Sequence, residues 1–488
     1  MLRWTTAYME DPAFPHLGDS SQSLLRACPR QCSCPRDDTV DCSGLGLRVF
    51  PDNITKAARL RRRAWRQQRH WCEPLHSTPQ NNQLRELPYN ELSRLSGLRT
   101  LDLHNNLISS EGLPDEAFES LTQLEHFYVA HNKLSVAPQF LPRSLRVADL
   151  AANEVVEIFP LTFGEKPELR SVYLHDNRLS NTGLPPNTFH GSEAITTLSL
   201  SSNRLSYLPP SLPASLERLH LQNNLISRVP RGALSLQTQL RELHLQHNQL
   251  TDSGLDATTF RLERVPPALP RHLKALVMPH NRVAVLGARD LGSARTLVEL
   301  NLAYNCLASE RVHPVAFRRL RALHSLDLAG NQLSRLPQGL PTSLRSLRLQ
   351  RNQLRALEPE PLAGLNKLQE LSLAHNRLRV GNIGPGTWHE LQALQVLDLS
   401  HNELSFVPPD LPEALEELHL QANCISFVGP EAFLTTPHLR ALFLRANRLH
   451  MTSISAEAFL GLSHLRVVDT AENPEQVLVQ LPSKGRGP

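Results

Sequence analysis

LDLHNNLI, residues 101–108, sets the reading of the whole chain. Leu101 and Leu103 are separated by one polar residue, which is the period of a β-strand with two side chains on one face. Asn106 follows three residues later, and Ile108 two after that. The same L-x-L-x-x-N-x-L frame returns as LHLQNNLI (219–226), LDLAGNQL (326–333), LSLAHNRL (371–378), LDLSHNEL (397–404) and LFLRANRL (442–449). A single copy cannot bury its leucines. Stacked copies can, by pairing their short strands into a parallel sheet about 4.8 Å apart over a shared leucine core. The fold class is therefore an α/β solenoid, a leucine-rich-repeat horseshoe with a concave parallel β-sheet.

The asparagine is expected to be buried at the turn after each strand. Its amide carries donors and an acceptor that can satisfy backbone groups of neighbouring turns. A leucine there would leave those groups unpaired, at roughly 1–3 kcal/mol each. The ladder runs Asn82, Asn106, Asn132, Asn153, Asn177, Asn203, Asn224 and Asn248, then from Asn281 through Asn305, Asn331, Asn352, Asn376, Asn402, Asn423 and Asn447 to Asn473. Its steps cycle through 26, 21 and 24 residues, so the unit is a triplet of 71. The short members carry prolines, as in LPPSLPASLERL, and predict a thin extended outer side. The longer members carry segments such as EAFESLTQL, which suit a helical turn.

The cycle breaks twice. Between Asn248 and Asn281 the step is 33 where 47 is required, so either 14 residues or 14 plus one triplet, 85, are missing. At the joint, DATTFRLERVPPALP, an outer segment ends at Phe260 and runs into a proline segment with no strand between; a local defect or kink with an unpaired strand edge is expected. The second break is residues 59–84, where Ser77 and Pro79 occupy the strand positions before Asn82. Proline cannot donate to a central ladder. An arginine-rich insert has replaced the first strand. Its surface reading, a heparin or nucleic-acid patch with Trp65 and Trp71, is weaker than that of an irregular insertion.

That insert also explains the charge. The net charge of +4 includes seven basic residues and no acid between 56 and 71; without them the chain stands at −3. Nucleic acid is therefore not an expected partner. No run of eighteen apolar residues is present, so no membrane span is expected. Residues 1–27 hold no apolar stretch of seven, so no secretory signal is evident and export of this form is an open question. There is no nucleophile elbow, no H-E-x-x-H and no phosphate loop, and neither an enzyme activity nor a cofactor or metal is expected.

CPRQCSCPRDDTVDC (28–42) places Cys28, Cys32, Cys34 and Cys42 directly before the first repeat. A solenoid needs its open ends covered. Two disulfides closing a small hairpin would do so; zinc is the other chemistry available, and the C-x-C spacing fits it poorly. The chain then divides into an N-terminus without evident signal (1–27), a cysteine-rich cap (28–56), the insert (57–80), repeats before (81–260) and after (261–473) the break, and a tail (474–488). Cys72, Cys306 and Cys424 are left as free thiols. Asn53-Ile54-Thr55 is the N-glycosylation sequon, usable only on a secreted chain. Ser43, Ser96 and Ser253 precede glycines and are weak glycosaminoglycan candidates.

The C-x3-C-x-C-x7-C cap followed by 26/21/24 repeats resembles the small leucine-rich proteoglycans of the extracellular matrix, and within them the podocan class. The stretches SVYLHDNRLSNTGLPPNTF and ELNLAYNCLASERVHPVAFRRLRALHSLDLAGNQL carry the resemblance most strongly. It implies a secreted, non-enzymatic matrix protein that binds collagen and growth factors and modulates cell growth. It also implies the pairings Cys28–Cys34 and Cys32–Cys42. The C-terminal cysteine pair of many relatives has no counterpart here, and Thr470 and Glu475 stand where apolar residues belong.

The residue between the two leucines points out of the concave sheet. Asp102, Tyr128, Asp149 and Tyr173 form one column there, an acidic and aromatic stripe suited to a basic, Gly-Pro-rich rod such as collagen. His220 and His244 continue the column, and His104, His131, His175, His247, His280, His375, His401 and His419 share the face. Histidine titrates near neutral pH and ligates zinc, but it is also simply tolerated at exposed strand positions. A matrix protein binding collagen is the reading adopted. The alternatives are an intracellular leucine-rich scaffold, suggested by the absent signal, and a shed receptor ectodomain.

Overall fold

A computed structural model describes residues 3–4, 32–36, 39–42, 44–51, 82–227, 229, 233–249, 265 and 268–479. Cys28, the side chain of Cys34, Asn53, the insert 57–80 and the joint around Phe260 lie outside the described residues. The chain forms two compact units, Met1–Leu225 and Ile226–Pro488.

In the first unit the L-x-L frame forms strands of three residues: β4 (Thr100–Asp102), β5 (His126–Tyr128), β6 (Val147–Asp149), β7 (Ser171–Tyr173), β8 (Thr197–Ser199) and β9 (Arg218–His220). They pair in parallel without slippage, Leu101 opposite Phe127, then Ala148, Val172, Leu198 and Leu219. That row, and the row of Leu103, Val129, Leu150, Leu174, Leu200 and Leu221, is at most 1% exposed. Each fully buried leucine contributes roughly 1.5–3 kcal/mol relative to exposure. Parallel pairing in one register keeps every such residue on the core side.

The asparagine ladder closes the turns. Asn132 Oδ1 accepts from the Ile108 N–H at 3.0 Å, and its amide donates to the carbonyls of Leu103 (2.8 Å) and Val129 (3.0 Å). Asn153, Asn177 and Asn203 repeat this arrangement. The residue before each asparagine lies in the left-handed region, with φ between 51° and 57° at Asn105, His131, Ala152, Asp176, Ser202 and Asn223. This backbone choice folds the asparagine side chain back under its own strand.

The N-terminal cap of this unit contains the Cys32–Cys42 disulfide across a hairpin of β2 (Ser33–Arg36) and β3 (Thr39–Asp41). Arg3–Trp4, strand β1, adds antiparallel to β3, so the first residues of the chain join the cap sheet. Asn82 fastens the cap to the repeats. It donates to the Cys42 carbonyl and accepts from the Leu47 N–H, both at 3.1 Å. The outer side carries short helical segments where the sequence is long: α1 (Tyr89–Ser93), a 3-10 turn at Asp115–Ser120 and α2 (Pro160–Phe163).

The second unit is built the same way: β10 (Glu242–His244), β11 (Ala275–Val277), β12 (Glu299–Asn301), β13 (Ser325–Asp327), β14 (Ser346–Arg348), β15 (Glu370–Ser372), β16 (Val396–Asp398), β17 (Glu417–His419), β18 (Ala441–Phe443) and β19 (Val467–Asp469). The expected unpaired edge at the register break does not occur. β10 pairs directly with β11, Leu243 opposite Leu276, and the Asn281 amide donates to Leu245 at 2.9 Å. Strand pairing follows the repeat frame, present as Leu243, Leu245 and Asn248 on one side and as Leu276, Met278 and Asn281 on the other. No helix among the described residues is long and apolar enough to cross a membrane.

Candidate functional site

Register places Asp102, Tyr128 and Asp149 on three successive strands, with Tyr173 on the next. Each aspartate first serves its own turn: Asp102 Oδ1 accepts from the His104 N–H at 3.2 Å and Asp149 Oδ1 from the Ala151 N–H at 3.1 Å. Asn301, Asp327, Asp398 and Asp469 do the same in the second unit. The residue type between the leucines is thus partly dictated by the turn.

His104 then organises the site. Its Nδ1 lies 3.4 Å from Asp102 Oδ1 and its Nε2 3.4 Å from Asp149 Oδ2, so the imidazole spans the two carboxylates. Between them it covers Tyr128, ring centroids 5.5 Å apart, and His126 stacks beside the same ring. Tyr128 is consequently only 6% exposed. The stripe therefore differs from its expected form: Tyr128 is packed beneath His104, and the accessible features are two half-buried carboxylates and Tyr173, which meets His175 edge-on. His104 was grouped with the other histidines in the sequence; nothing in the repeat frame marks it as the bridge.

The histidines serve three backbone positions. His131, His247, His280, His375 and His401 occupy the left-handed position before the ladder asparagine, with φ of 51–57°. His220, His244 and His419 lie on strands, and His104 and His175 sit two residues before an asparagine. In the second unit the left-handed histidines stack in parallel, His247 on His280 at 4.3 Å, His280 on Tyr304 at 4.6 Å, and His375 on His401 at 3.9 Å. His419 stacks on Phe443 at 4.4 Å. Recurrence of histidine on this edge follows from turn conformation and ring stacking. His220 closes the row of the first unit. His244 opens that of the second, where burial pushes its pKa below the usual histidine value against the opposing charge of Glu242. Cys306 and Cys424 are free and half-buried.

Strands of the L-x-L frame and the buried asparagine ladder define a leucine-rich-repeat protein. The leucine rich repeat family profile matches residues 80–134, 143–205, 195–250, 271–333, 342–404 and 413–474. An LRR protein of Leptospira interrogans shares the fold, with a TM-score of 0.59 at 23% identity over 80% of this chain and 88% of that one.

Podocan-like protein 1 of Mus musculus is 72% identical, covering 98% of both chains; the Homo sapiens protein of that name is 64% identical over 83% of this chain and 92% of its own. Podocan of Mus musculus is 40% identical over 92% and 85%. The chain belongs to the small leucine-rich proteoglycan family, in its podocan and podocan-like class. These relatives are extracellular-matrix proteins rather than enzymes. The mouse podocan-like alignment runs over 564 positions against 488 residues here, so that relative carries sequence this chain lacks.

Proposed function

We propose that this chain is a non-enzymatic matrix protein that binds triple-helical collagen through the concave face of its first unit. The observation that carries the reading is the pair Asp102 and Asp149, held in fixed turns on either side of Tyr128 with side chains 23% and 21% exposed. Lysine and arginine side chains of a Gly-Pro-rich rod meet such carboxylates, and Tyr173 offers an apolar ring to proline beside them. Rim charges of this kind steer encounter and fix register more than they set affinity.

Growth factors are a second class of partner on the same reading, and modulation of cell growth would follow from sequestering them. Glycosylation at Asn53 and a second cap disulfide, Cys28–Cys34, belong to this proposal as features of a secreted chain. The test is co-sedimentation of the full chain with reconstituted collagen fibrils and, in parallel, capture on heat-denatured collagen. Binding to the native triple helix that weakens with salt is expected. Absence of binding to fibrils, or equal capture by the denatured chains, would overturn it.

A further inference from the structure

Lys166 departs from every expectation for a lysine on a repeat solenoid. It is 4% exposed, and it lies on the outer side of the first unit, just after α2. Lysines are almost never buried this far without a paired acid. Among the described residues Lys166 has none: its Nζ donates to two backbone carbonyls, Leu161 at 2.7 Å and Gly164 at 3.1 Å. An ammonium has three protons to place, while a neutral amine has two. The site supplies acceptors for two. The neutral amine therefore places both its protons and retains its lone pair, whereas the charged form has a third proton for which the described residues offer no acceptor.

The surroundings press the same way. Burial brings the Lys166 pKa down to about 8, with Arg143 adding to the effect and Glu165 opposing it. The backbone is locked as well, since the Lys166 N–H donates to Ser192 Oγ at 2.8 Å and that hydroxyl donates to the Phe163 carbonyl. The side chain lines an open cavity of about 390 Å³, whose walls include Phe140, Leu141, Pro142 and Leu161. Glu119 and Arg143 are the charged groups beside it.

We infer that Lys166 is a covalent capture site for apolar aldehydes, the amine forming an imine while the hydrocarbon tail occupies the cavity against Leu141, Pro142 and Leu161. The nitrogen lone pair attacks the carbonyl carbon, forming the N–C bond, and a proton passes from nitrogen to the carbonyl oxygen to give the carbinolamine. A proton taken from solvent lets the hydroxyl leave as water, which breaks the C–O bond and leaves the protonated imine. Its remaining N–H keeps one of the two backbone carbonyls. No oxidant or reductant is needed, and the step is reversible by hydrolysis. This activity is separate from the concave face and does not depend on collagen binding.

The experiment is reductive trapping on the full chain. Hexanal and sodium cyanoborohydride are supplied at pH 7.4, and alkylation of each lysine is followed by peptide mass mapping. Lys166 is expected to label about tenfold faster than the exposed Lys133, Lys274 and Lys367, given its larger neutral fraction. Its rate should level off above pH 8 while theirs continues to climb. A polar aldehyde, glycolaldehyde, should show a smaller preference than hexanal, since it gains from the neutral fraction and not from the apolar walls. Lys166→Arg should remove the fast site and leave the other three rates unchanged. Labelling of Lys166 no faster than the exposed lysines, a rate that rises in parallel with theirs, or equal preference for glycolaldehyde would overturn the assignment.

Discussion

The amide of Asn132 joins two turns of the solenoid: it donates to the Leu103 carbonyl of the preceding turn at 2.8 Å while its own oxygen takes the Ile108 N–H at 3.0 Å. Asn132 is 8% exposed, so no water replaces these bonds when they are lost. Asn132→Leu leaves the buried Ile108 N–H without its partner, at roughly 1–3 kcal/mol, and takes one of two donors from the Leu103 and Val129 carbonyls, which Asn106 and Asn153 still reach. A loss of about 3 kcal/mol is expected, read as a lower urea midpoint.

Gly330 is the single glycine at the left-handed ladder position among the described residues, with φ 67°. Conformation alone does not demand it, since Ala152, Ala422 and Ala446 hold the same position at φ 51–53°. The cause is the Tyr304 ring: a Cβ on Gly330 would stand 2.3 Å from its Cδ1. Gly330→Ala should cost about 2 kcal/mol by displacing the ring from its stack on His280. In a Tyr304→Ala background the same change should cost under half as much, and a double-mutant cycle measures the difference.

His375 and His401 stack at 3.9 Å. Burial lowers the His375 pKa, and His401 and Arg351 add to it against Asp398. A histidine whose folded pKa is depressed is bound by fewer protons in the folded state than in the unfolded one. Stability is then full above the ordinary value near 6.5 and declines as pH falls below it toward the depressed folded value. Urea midpoints should drop between pH 7 and 5.5, and His375→Gln should flatten that part of the profile.

The Cys32–Cys42 bond closes a loop of ten residues over the end of the first unit. Its removal by Cys32→Ser with Cys42→Ser should cost roughly 2–3 kcal/mol. The effect should concentrate at the cap. Hydrogen exchange at Leu47 and Gln83, whose bonds join cap and repeats, should rise before exchange at β6 does.

Much of this architecture is legible in sequence because one short frame fixes it. Leu101, Leu103 and Asn106 specify strand, core face and turn together, and the frame's recurrence gives the register. What the frame does not encode is lateral. His104 bridges residues from strands two turns apart, and its partners are set by side-chain reach rather than spacing. The prediction of a loose strand edge after Asn248 failed for the converse reason: the spacing of the asparagines departs from the cycle there, while β10 and β11 keep their pairing. Likewise Ser144, Ser215 and Ser343, whose hydroxyls donate to Leu124, Ile195 and Leu323 of the preceding turn, pass in the sequence for ordinary loop serines.

Collagen affinity of the double variant Asp102→Asn with Asp149→Asn decides the role of the concave face. Asparagine keeps the oxygen that the turn requires, as Asn301 shows with its 3.0 Å bond from Ala303, and removes the charge. The urea midpoint should remain that of the parent chain, while affinity for triple-helical collagen falls at least tenfold, about 1.4 kcal/mol, and loses most of its salt dependence. Unchanged affinity and unchanged salt dependence in a folded double variant would contradict the assignment of this face.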